Sequence, residues 1–366
     1  MPCQPAKSVK KVMKKILYLS NTPVPYRVKF FNFLAEKCDL TVVYEREFSA
    51  NRNKKWTSSV EHKYKAVFLK GIRLKNESSF SLGILKYALS SFEHVIVGCY
   101  NSPSQMIAIL ALRLFNKRFY INLDGEPFIE QKGFKATLKR FFLKGADGYF
   151  TAGEKSADSL KKIFPNAEIY PYYFSSLSQE EINKNAAITQ ERQDYFLVVG
   201  QYFDYKGLDV AVEVAKLNPN LKFKFIGMGD RTSLFKAECN TDSFKNVEIV
   251  PFLQKKELEF EYKKCRALIL PSRKECWGLV VNEAAALKTP IISTLGSGAA
   301  VEFLGDSYTQ FLSLPNDANS LSKAVNEFVS FDKITEYSDY LYKKSLDYSI
   351  EKSVEKHIEV LTEYRS

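Results

Sequence analysis

The sequence predicts an α/β protein built from two Rossmann-like domains, each a doubly wound parallel sheet. Three observations lead there. Short apolar runs of strand length alternate with helical stretches, the pattern of βα units that bury a parallel sheet on both faces. That alternation restarts once, at Tyr195-Phe196-Leu197-Val198-Val199-Gly200. And 366 residues exceed what a single hydrophobic core usually serves.

The first half opens on Lys15-Ile16-Leu17-Tyr18-Leu19-Ser20, an apolar run that enters the turn Asn21-Thr22-Pro23-Val24-Pro25. A helix from about Tyr26 to Glu36 should carry Val28, Phe31 and Leu34 on one face. Further strands are expected at Leu40 to Tyr44, Val95 to Gly98, Phe119 to Leu123 and, more weakly, Gly148 to Thr151. The second half continues through Lys222 to Gly227, Val247 to Val250, Ala267 to Leu270 and Pro290 to Ser293. Residues Ser175 to Asp194 are polar without an apolar period and read as the interdomain linker. The expected domains are therefore residues 13–177 and 190–347, followed by a closing helical segment, 348–366.

A hydrophobic content of 45% and a charged content of 26% are those of a globular protein. The longest apolar run, Met106 to Leu112, is cut by Arg113 and is too short to span a bilayer. The basic stretch Lys7 to Lys15 is followed by a strand and lacks a signal-peptide cleavage pattern. Cys3, Cys38, Cys99, Cys239, Cys265 and Cys276 are scattered, without C-x-x-C pairs, so neither a disulfide framework nor a zinc site is indicated and a reducing cytoplasm fits. A net charge of +11 points to an anionic partner: nucleic acid, a phosphorylated ligand or an anionic membrane surface. No nucleic-acid-binding motif accompanies it.

The most informative stretch is Pro271-Ser272-Arg273-Lys274-Glu275-Cys276-Trp277-Gly278-Leu279-Val280-Val281-Asn282-Glu283-Ala284. It follows an apolar strand and places two carboxylates, Glu275 and Glu283, eight positions apart around a helix start near Gly278. Such a start offers backbone N–H groups and the positive end of a dipole to a phosphate. Glu275 in the loop is placed to accept sugar hydroxyls, and Glu283 to reach a ribose diol. This segment resembles the E-x7-E motif of retaining glycosyltransferases of the GT-B fold, in the large family four.

That resemblance implies a GT-B fold, two domains facing across a crevice with the C-terminal helix crossing back to the first. It also implies an order of features that the second half follows. Val199-Gly200-Gln201-Tyr202-Phe203-Asp204-Tyr205-Lys206-Gly207 is similar to the family's V-G-R-x-x-x-x-K-G loop, in which Lys206 would meet the donor diphosphate. Gln201 stands where the family has arginine, so either Lys206 works alone or another cation compensates. Gly227-Met228-Gly229-Asp230 permits close backbone approach to a ligand. Pro251-Phe252 occupies the place of the nucleobase lining, and Gly296-Ser297-Gly298 with Glu302 completes the order. Donor-binding residues are thus Gly200, Gln201, Lys206, Gly227, Gly229, Glu275, Cys276, Trp277, Gly278, Leu279 and Glu283.

In the first half, Pro25, Tyr26 and Arg27 lie in the first strand-to-helix loop and are candidates for the acceptor side, with a proline turn and a structural arginine as the equal alternative. Asp124, in Leu123-Asp124-Gly125-Glu126-Pro127, falls where many relatives carry a catalytic-site histidine, which makes Lys206, Glu275 and Asp124 the catalytic candidates. Asp124-Gly125-Glu126 also has the form of a D-x-D metal motif, but GT-B enzymes generally need no divalent ion, so no metal and no cofactor are expected. His62, His94 and His357 match no family position and read as ordinary surface or core residues. The stretch Gly133 to Lys144 interleaves Lys135, Lys139 and Arg140 with Phe134, Leu138, Phe141 and Phe142, either a core-packing helix or one lying on an anionic membrane.

The resemblance thus implies a metal-independent, retaining hexosyltransferase using a nucleoside-diphosphate sugar. Its acceptor would be a lipid-linked oligosaccharide in bacterial surface polysaccharide synthesis, capsule or lipopolysaccharide. The enzyme would be cytoplasmic and peripheral on the inner face of the cell membrane. Retention would follow from front-face attack, with electrostatic positioning supplying most of the catalysis. A catalytically silent carbohydrate- or partner-binding relative, and a nucleotide-sugar epimerase of similar fold, are the alternatives.

Overall fold

The computed structural model describes residues 13–47, 61–74, 78–98, 100–125, 133–186 and 191–363. Elements follow in the order β1 (Lys15–Ser20), α1 (Pro25–Ala35), β2 (Asp39–Tyr44), β3 (Lys65–Phe68), β4 (Ile72–Arg73), β5 (Ser79–Phe80), α2 (Ile84–Ala88), β6 (His94–Val97), α3 (Pro103–Leu114), β7 (Phe119–Leu123), α4 (Phe134–Leu143), β8 (Gly148–Ala152), α5 (Gly153–Ile163), β9 (Ile169–Tyr172) and α6 (Gln179–Ala186). The second half continues with β10 (Phe196–Val199), α7 (Leu208–Leu217), β11 (Phe223–Ile226), α8 (Thr232–Cys239), β12 (Val247–Val250), α9 (Lys255–Lys264), β13 (Ala267–Leu270), α10 (Leu279–Ala286), β14 (Ile291–Thr294), α11 (Gly298–Leu304), β15 (Leu312–Ser313), α12 (Ala318–Val329), α13 (Ile334–Asp347) and α14 (Ile350–Glu363).

Among the described residues three sheets result: one of seven strands in the order β3-β2-β1-β6-β7-β8-β9, one of six in the order β12-β11-β10-β13-β14-β15, and a two-stranded antiparallel pair, β4-β5. The central pairs are parallel, with Ile16 opposite both Leu40 and His94, and Phe196 opposite both Phe223 and Ala267. Strands such as Phe196–Val199 and Ala267–Leu270 are buried along their whole length. Helices on both faces leave no solvent side, so the runs read as continuous rather than alternating hydrophobics. The described residues divide into two compact units, those up to residue 121 together with 138–147 in one, and 122–125, 133–137 and 148–363 in the other.

The ten strands expected from the sequence agree to within a residue or so, whereas the edge strands β3, β9 and β15 and the short β4-β5 pair were not expected; β3, β4 and β9 lack a fully buried run. The stretch expected as a linker holds a helix: α6 buries Ile182 completely, against Leu177 and Ala286. One eight-residue helix with a single apolar anchor has no period to detect. Residues 187–190 of that stretch lie outside the described residues. Helix α14 buries Val354, His357 and Leu361 and packs on β9. In α4 the four bulky apolar residues do not share one fate: Phe142 is buried, whereas Phe134, Leu138 and Phe141 are exposed. Phe141 and Phe142 are one position apart, about 100° around a helix, so both cannot face the core.

Candidate functional site

In the unit that holds residues 148–363, two loops at the C-terminal ends of β10 and β13 are locked together. Gly207 adopts a left-handed conformation, φ 65°, and a Cβ there would lie 2.2 Å from the Pro271 carbonyl oxygen. Only glycine permits both, and the contact brings the two loops into register. The backbone N–H groups of Arg273 and Lys274 both donate to the Tyr205 carbonyl, at 2.9 and 3.2 Å. Arg273 also clasps the Asp209 carboxylate, holding that acid below the usual carboxylate range.

The consequence is that Lys206 and Glu275, 69 positions apart, meet as an ion pair. The second Glu275 oxygen accepts from Ser272 Oγ at 2.8 Å, and the Glu275 N–H donates to the Gly296 carbonyl at 2.8 Å. Only 18% and 13% of the two side chains are exposed, so water screens the pair weakly. The pair is net neutral and fixes both a cation and a carboxylate at the mouth of a parallel sheet. That crevice end is where ligands of open α/β sheets bind.

Gly278 then begins α10 with φ 107°, and no side chain caps this N-terminus. Cys276 is exposed and Leu279 half-buried. Trp277 is buried, its indole N–H donating to Asn282 Oδ1 at 2.8 Å, and it supports the loop from beneath. Glu283, more than a turn along α10, accepts from the Tyr262 hydroxyl at 3.2 Å. As a residue it is half-buried, but its carboxyl end is enclosed, and burial pushes its pKa up to about 7.

Asp124 follows β7 in the loop held against this segment: a Cβ on Gly125 would lie 2.1 Å from the Cys276 carbonyl oxygen. The Asp124 carboxylate accepts from Asn122 Nδ2 at 2.9 Å and from the Tyr172 hydroxyl at 3.2 Å. Asp124, Cys276, Glu275 and Lys206 are thereby joined through one run of backbone and side-chain contacts. Glu126, the second acid of the D-x-D pattern, lies outside the described residues, as do Cys3, Cys99 and the basic residues before position 13. Among the described residues, no cluster of three His, Cys, Asp or Glu is placed to hold a metal.

The remaining sequence candidates fall around this core. Gly200 and Gly227 pack on each other at the ends of β10 and β11, a Cβ on Gly227 falling 3.3 Å from the Gly200 carbonyl. Gly229 starts the turn that carries Arg231, whose guanidinium donates to the Tyr202 carbonyl at 3.0 Å and covers the Phe203 ring at 4.3 Å. That puts a second cation on the loop in which Gln201 brings none. Pro25 opens α1 in the other unit; Tyr26 is half-buried, and Arg27 is buried over the Tyr18 and Phe30 rings.

Sequence reasoning missed Arg231 and Tyr262, which carry no motif, gave Ser272 no role within its stretch, and read His357 as an ordinary surface or core residue. His357 is fully buried, yet its Nε2 lies 2.9 Å from Asn122 Oδ1, one residue removed from Asp124. A separation of 235 positions hides that pairing from any local pattern.

Residues 179–345 match the family model "Glycosyl transferases group 1". The chain is 28% identical over 156 residues to an uncharacterised glycosyltransferase of Methanocaldococcus jannaschii, covering 42% of this chain and 43% of that protein. A second uncharacterised glycosyltransferase, from Haemophilus influenzae, is 28% identical over 165 residues, 43% of this chain and 46% of the relative. The chain thus spans less than half the length of these curated relatives. Among solved structures, a glycosyltransferase from Rickettsia africae superposes with a TM-score of 0.72 at 15% identity, over 96% of this chain and 98% of that one. HepE from Anabaena, in complex with UDP-glucose, superposes with a TM-score of 0.67 at 13% identity, over 96% of this chain and 100% of that one. These likenesses extend over nearly the whole chain and establish the GT-B fold.

Proposed function

We propose that the chain is a retaining glycosyltransferase of family four. It would move a hexose-type sugar from a nucleoside-diphosphate sugar to a lipid-linked oligosaccharide in surface polysaccharide synthesis. The observation that carries this is the Lys206–Glu275 ion pair at the crevice end of the second sheet, with the Asp124 loop held against Cys276. The match of residues 179–345 to a glycosyltransferase family covers the loops of Lys206 and Glu275, though not that of Asp124.

In this reading the Lys206 ammonium takes the diphosphate, where a preorganised cation stabilises the charge that grows on the leaving oxygen. The N–H groups that start α10 add to it. Glu275 orients the sugar hydroxyls, Glu283 the ribose diol, and Asp124 the acceptor-facing side of the sugar. No metal is required, because Lys206 and the helix start meet the diphosphate charge. Pro25, Tyr26 and Arg27 are assigned to the acceptor side.

The lipid-linked acceptor rests on a surface feature. Leu110, Leu114 and Phe115 at the end of α3 are exposed, Leu114 by 81%, and so are Leu138 and Phe141 on α4. Arg113 ties the two helices, its guanidinium donating to the Phe141 carbonyl at 2.7 Å. Arg140 and Lys144 stand exposed beside these apolar side chains; the Lys135 side chain is outside the described residues. Bulky apolar groups mixed with cations suit an anionic leaflet, where each basic residue contributes about 1 kcal/mol. Among the described residues no helix is long and apolar enough to cross a membrane, so contact would be peripheral.

The deciding experiment is a thermal-shift screen against a panel of nucleotide sugars. A donor at a hundred times its dissociation constant stabilises by about 2.7 kcal/mol, a readily measured shift. A chain that no nucleotide sugar stabilises is not this enzyme.

A further inference from the structure

We propose that His357 of the C-terminal helix is a positioning residue for Asp124, acting through the side-chain amide of Asn122. The inference deepens the reading of Asp124 as a site residue and rests on it.

The argument is one of hydrogen-bond polarity. His357 Nδ1 lies 2.7 Å from the Ser353 carbonyl oxygen, one helical turn back on α14. A carbonyl only accepts, so Nδ1 carries a proton. His357 Nε2 lies 2.9 Å from Asn122 Oδ1. The other end of that amide, Nδ2, donates to Asp124 Oδ1 at 2.9 Å and faces the Tyr172 hydroxyl at 3.1 Å. With the Asp124 carboxylate ionised, this orientation satisfies His357, Asn122 and Asp124 together when Nε2 is protonated too, so that the ring is an imidazolium donating in both directions. With a neutral ring, Nε2 would need the amide N–H, and turning Asn122 over would set its carbonyl oxygen against the Asp124 carboxylate. The protonated ring therefore decides which end of Asn122 meets Asp124.

The surroundings fit a buried cation balanced by an anion two bonds of the network away. His357 is fully buried. Its ring stacks on Phe150 of β8 at 4.2 Å and meets the Tyr172 ring of β9 edge-on at 4.8 Å. A buried charge needs a partner, and Asp124 is the carboxylate this network reaches, from β7. Asn122 and Tyr172 then hold that carboxylate in one rotamer, next in the chain to Gly125, whose backbone meets Cys276. The C-terminal helix thus contributes to the site without touching a substrate.

Two readouts separate this from a purely structural role. The first needs no substrate. With three histidines in the chain, imidazole 15N spectra of the labelled full-length protein are assigned by comparison with His357→Gln. His357 should be doubly protonated at pH 7, and Asp124→Asn should lower its titration midpoint by about one pH unit or more. A neutral His357 at pH 6, or a midpoint indifferent to Asp124→Asn, would overturn the proposal whatever the chain's activity.

The second uses UDP-glucose as the probe donor, with release of UDP as the signal. His357→Leu, with its thermal transition retained, should lower kcat by about tenfold and leave KM within about threefold. His357→Gln, whose amide N–H still donates to Asn122, should keep kcat within about threefold of wild type. Wild-type kcat in the leucine variant would also overturn the proposal. Absence of turnover and binding with every nucleotide sugar of the panel would instead remove the glycosyltransferase reading, while the spectra still decide the role of His357.

Discussion

Replacing Glu283 with glutamine should stabilise the unliganded protein at high pH and erase a pH dependence of donor affinity. The carboxyl end of Glu283 is enclosed beneath α10, and burial raises its pKa from 4.5 to about 7; Lys255 opposes the shift, Glu259 and Glu181 add to it. Below pH 4.5 the acid is protonated folded and unfolded alike, and it costs nothing. Between 4.5 and 7 the folded chain keeps a proton that the unfolded chain has lost, so stability falls as pH rises through this window. The full loss, reached above pH 8, is about 3 kcal/mol at 1.36 kcal/mol per pKa unit. Glutamine keeps the shape and never ionises. Urea unfolding at pH 5 and pH 8 should therefore show a gap between variant and wild type that is small at pH 5 and full at pH 8.

The same ionisation reports on function. In the proposed reading a ribose diol would donate to the carboxylate, so a donor should bind best when Glu283 is charged. UDP-glucose has no titrating phosphate in this range, and its affinity for the wild type should be about tenfold weaker at pH 6 than above pH 8, from the charged fraction of an acid with pKa near 7. Isothermal titration at pH 6, 7 and 8 measures it, and Glu283→Gln should give a weak, flat profile. A wild-type affinity that stays constant from pH 6 to 8 would refute the ribose assignment, even if the stability gap appears.

Three other outcomes follow from the same geometry. Lys206→Ala should cut transfer about 100-fold or more, whereas Gln201→Arg should be tolerated and bind diphosphate at least as tightly; loss of folding in the latter would show that the loop is wrongly aligned. Cys276 is the exposed thiol among the described cysteines, while burial pushes Cys38 and Cys265 up to about 12, so maleimide near neutral pH should label Cys276 first and UDP-glucose should slow it; labelling indifferent to the donor would place the loop away from the site. Glutamate at Lys135, Lys139 and Arg140 should abolish binding to acidic liposomes, which in the wild type should fall steeply with salt, and spare activity on a soluble acceptor analogue; equal binding to neutral vesicles would leave α4 a solubility feature.

The sheets were legible because burial on both faces writes itself into local sequence. Ile16 to Leu19 and Ala267 to Leu270 are almost inaccessible to water, and such runs have few alternatives. Helix α6 was not legible, because its stability comes from Ile182 inserting between Leu177 and Ala286, a contact made across about a hundred positions. The exposed side chains of α4 escaped for a related reason: residue type alone does not say which apolar side chain a helix buries, and here Ala136 and Leu143 join Phe142 in the core and leave Phe134 and Phe141 outside.

For the site, what could be read was whatever a loop carries in one piece. Pro271 to Ala284 holds Glu275, Gly278 and Glu283 at fixed spacing, and Gly200 to Gly207 holds Lys206, so each loop announced its own residues. What joins them is long-range: the Gly207–Pro271 approach, the two N–H groups on the Tyr205 carbonyl, and Gly125 against Cys276. Each of those contacts uses backbone, and backbone leaves little mark on a sequence beyond a glycine. The His357–Asn122–Asp124 chain leaves less still, since Asn122 and His357 are ordinary residues until the fold turns an amide between a ring and a carboxylate. A polar side chain that is fully buried must have its donors and acceptors matched. Tracing what matches them is therefore how a residue such as His357, with no motif of its own, comes into the site.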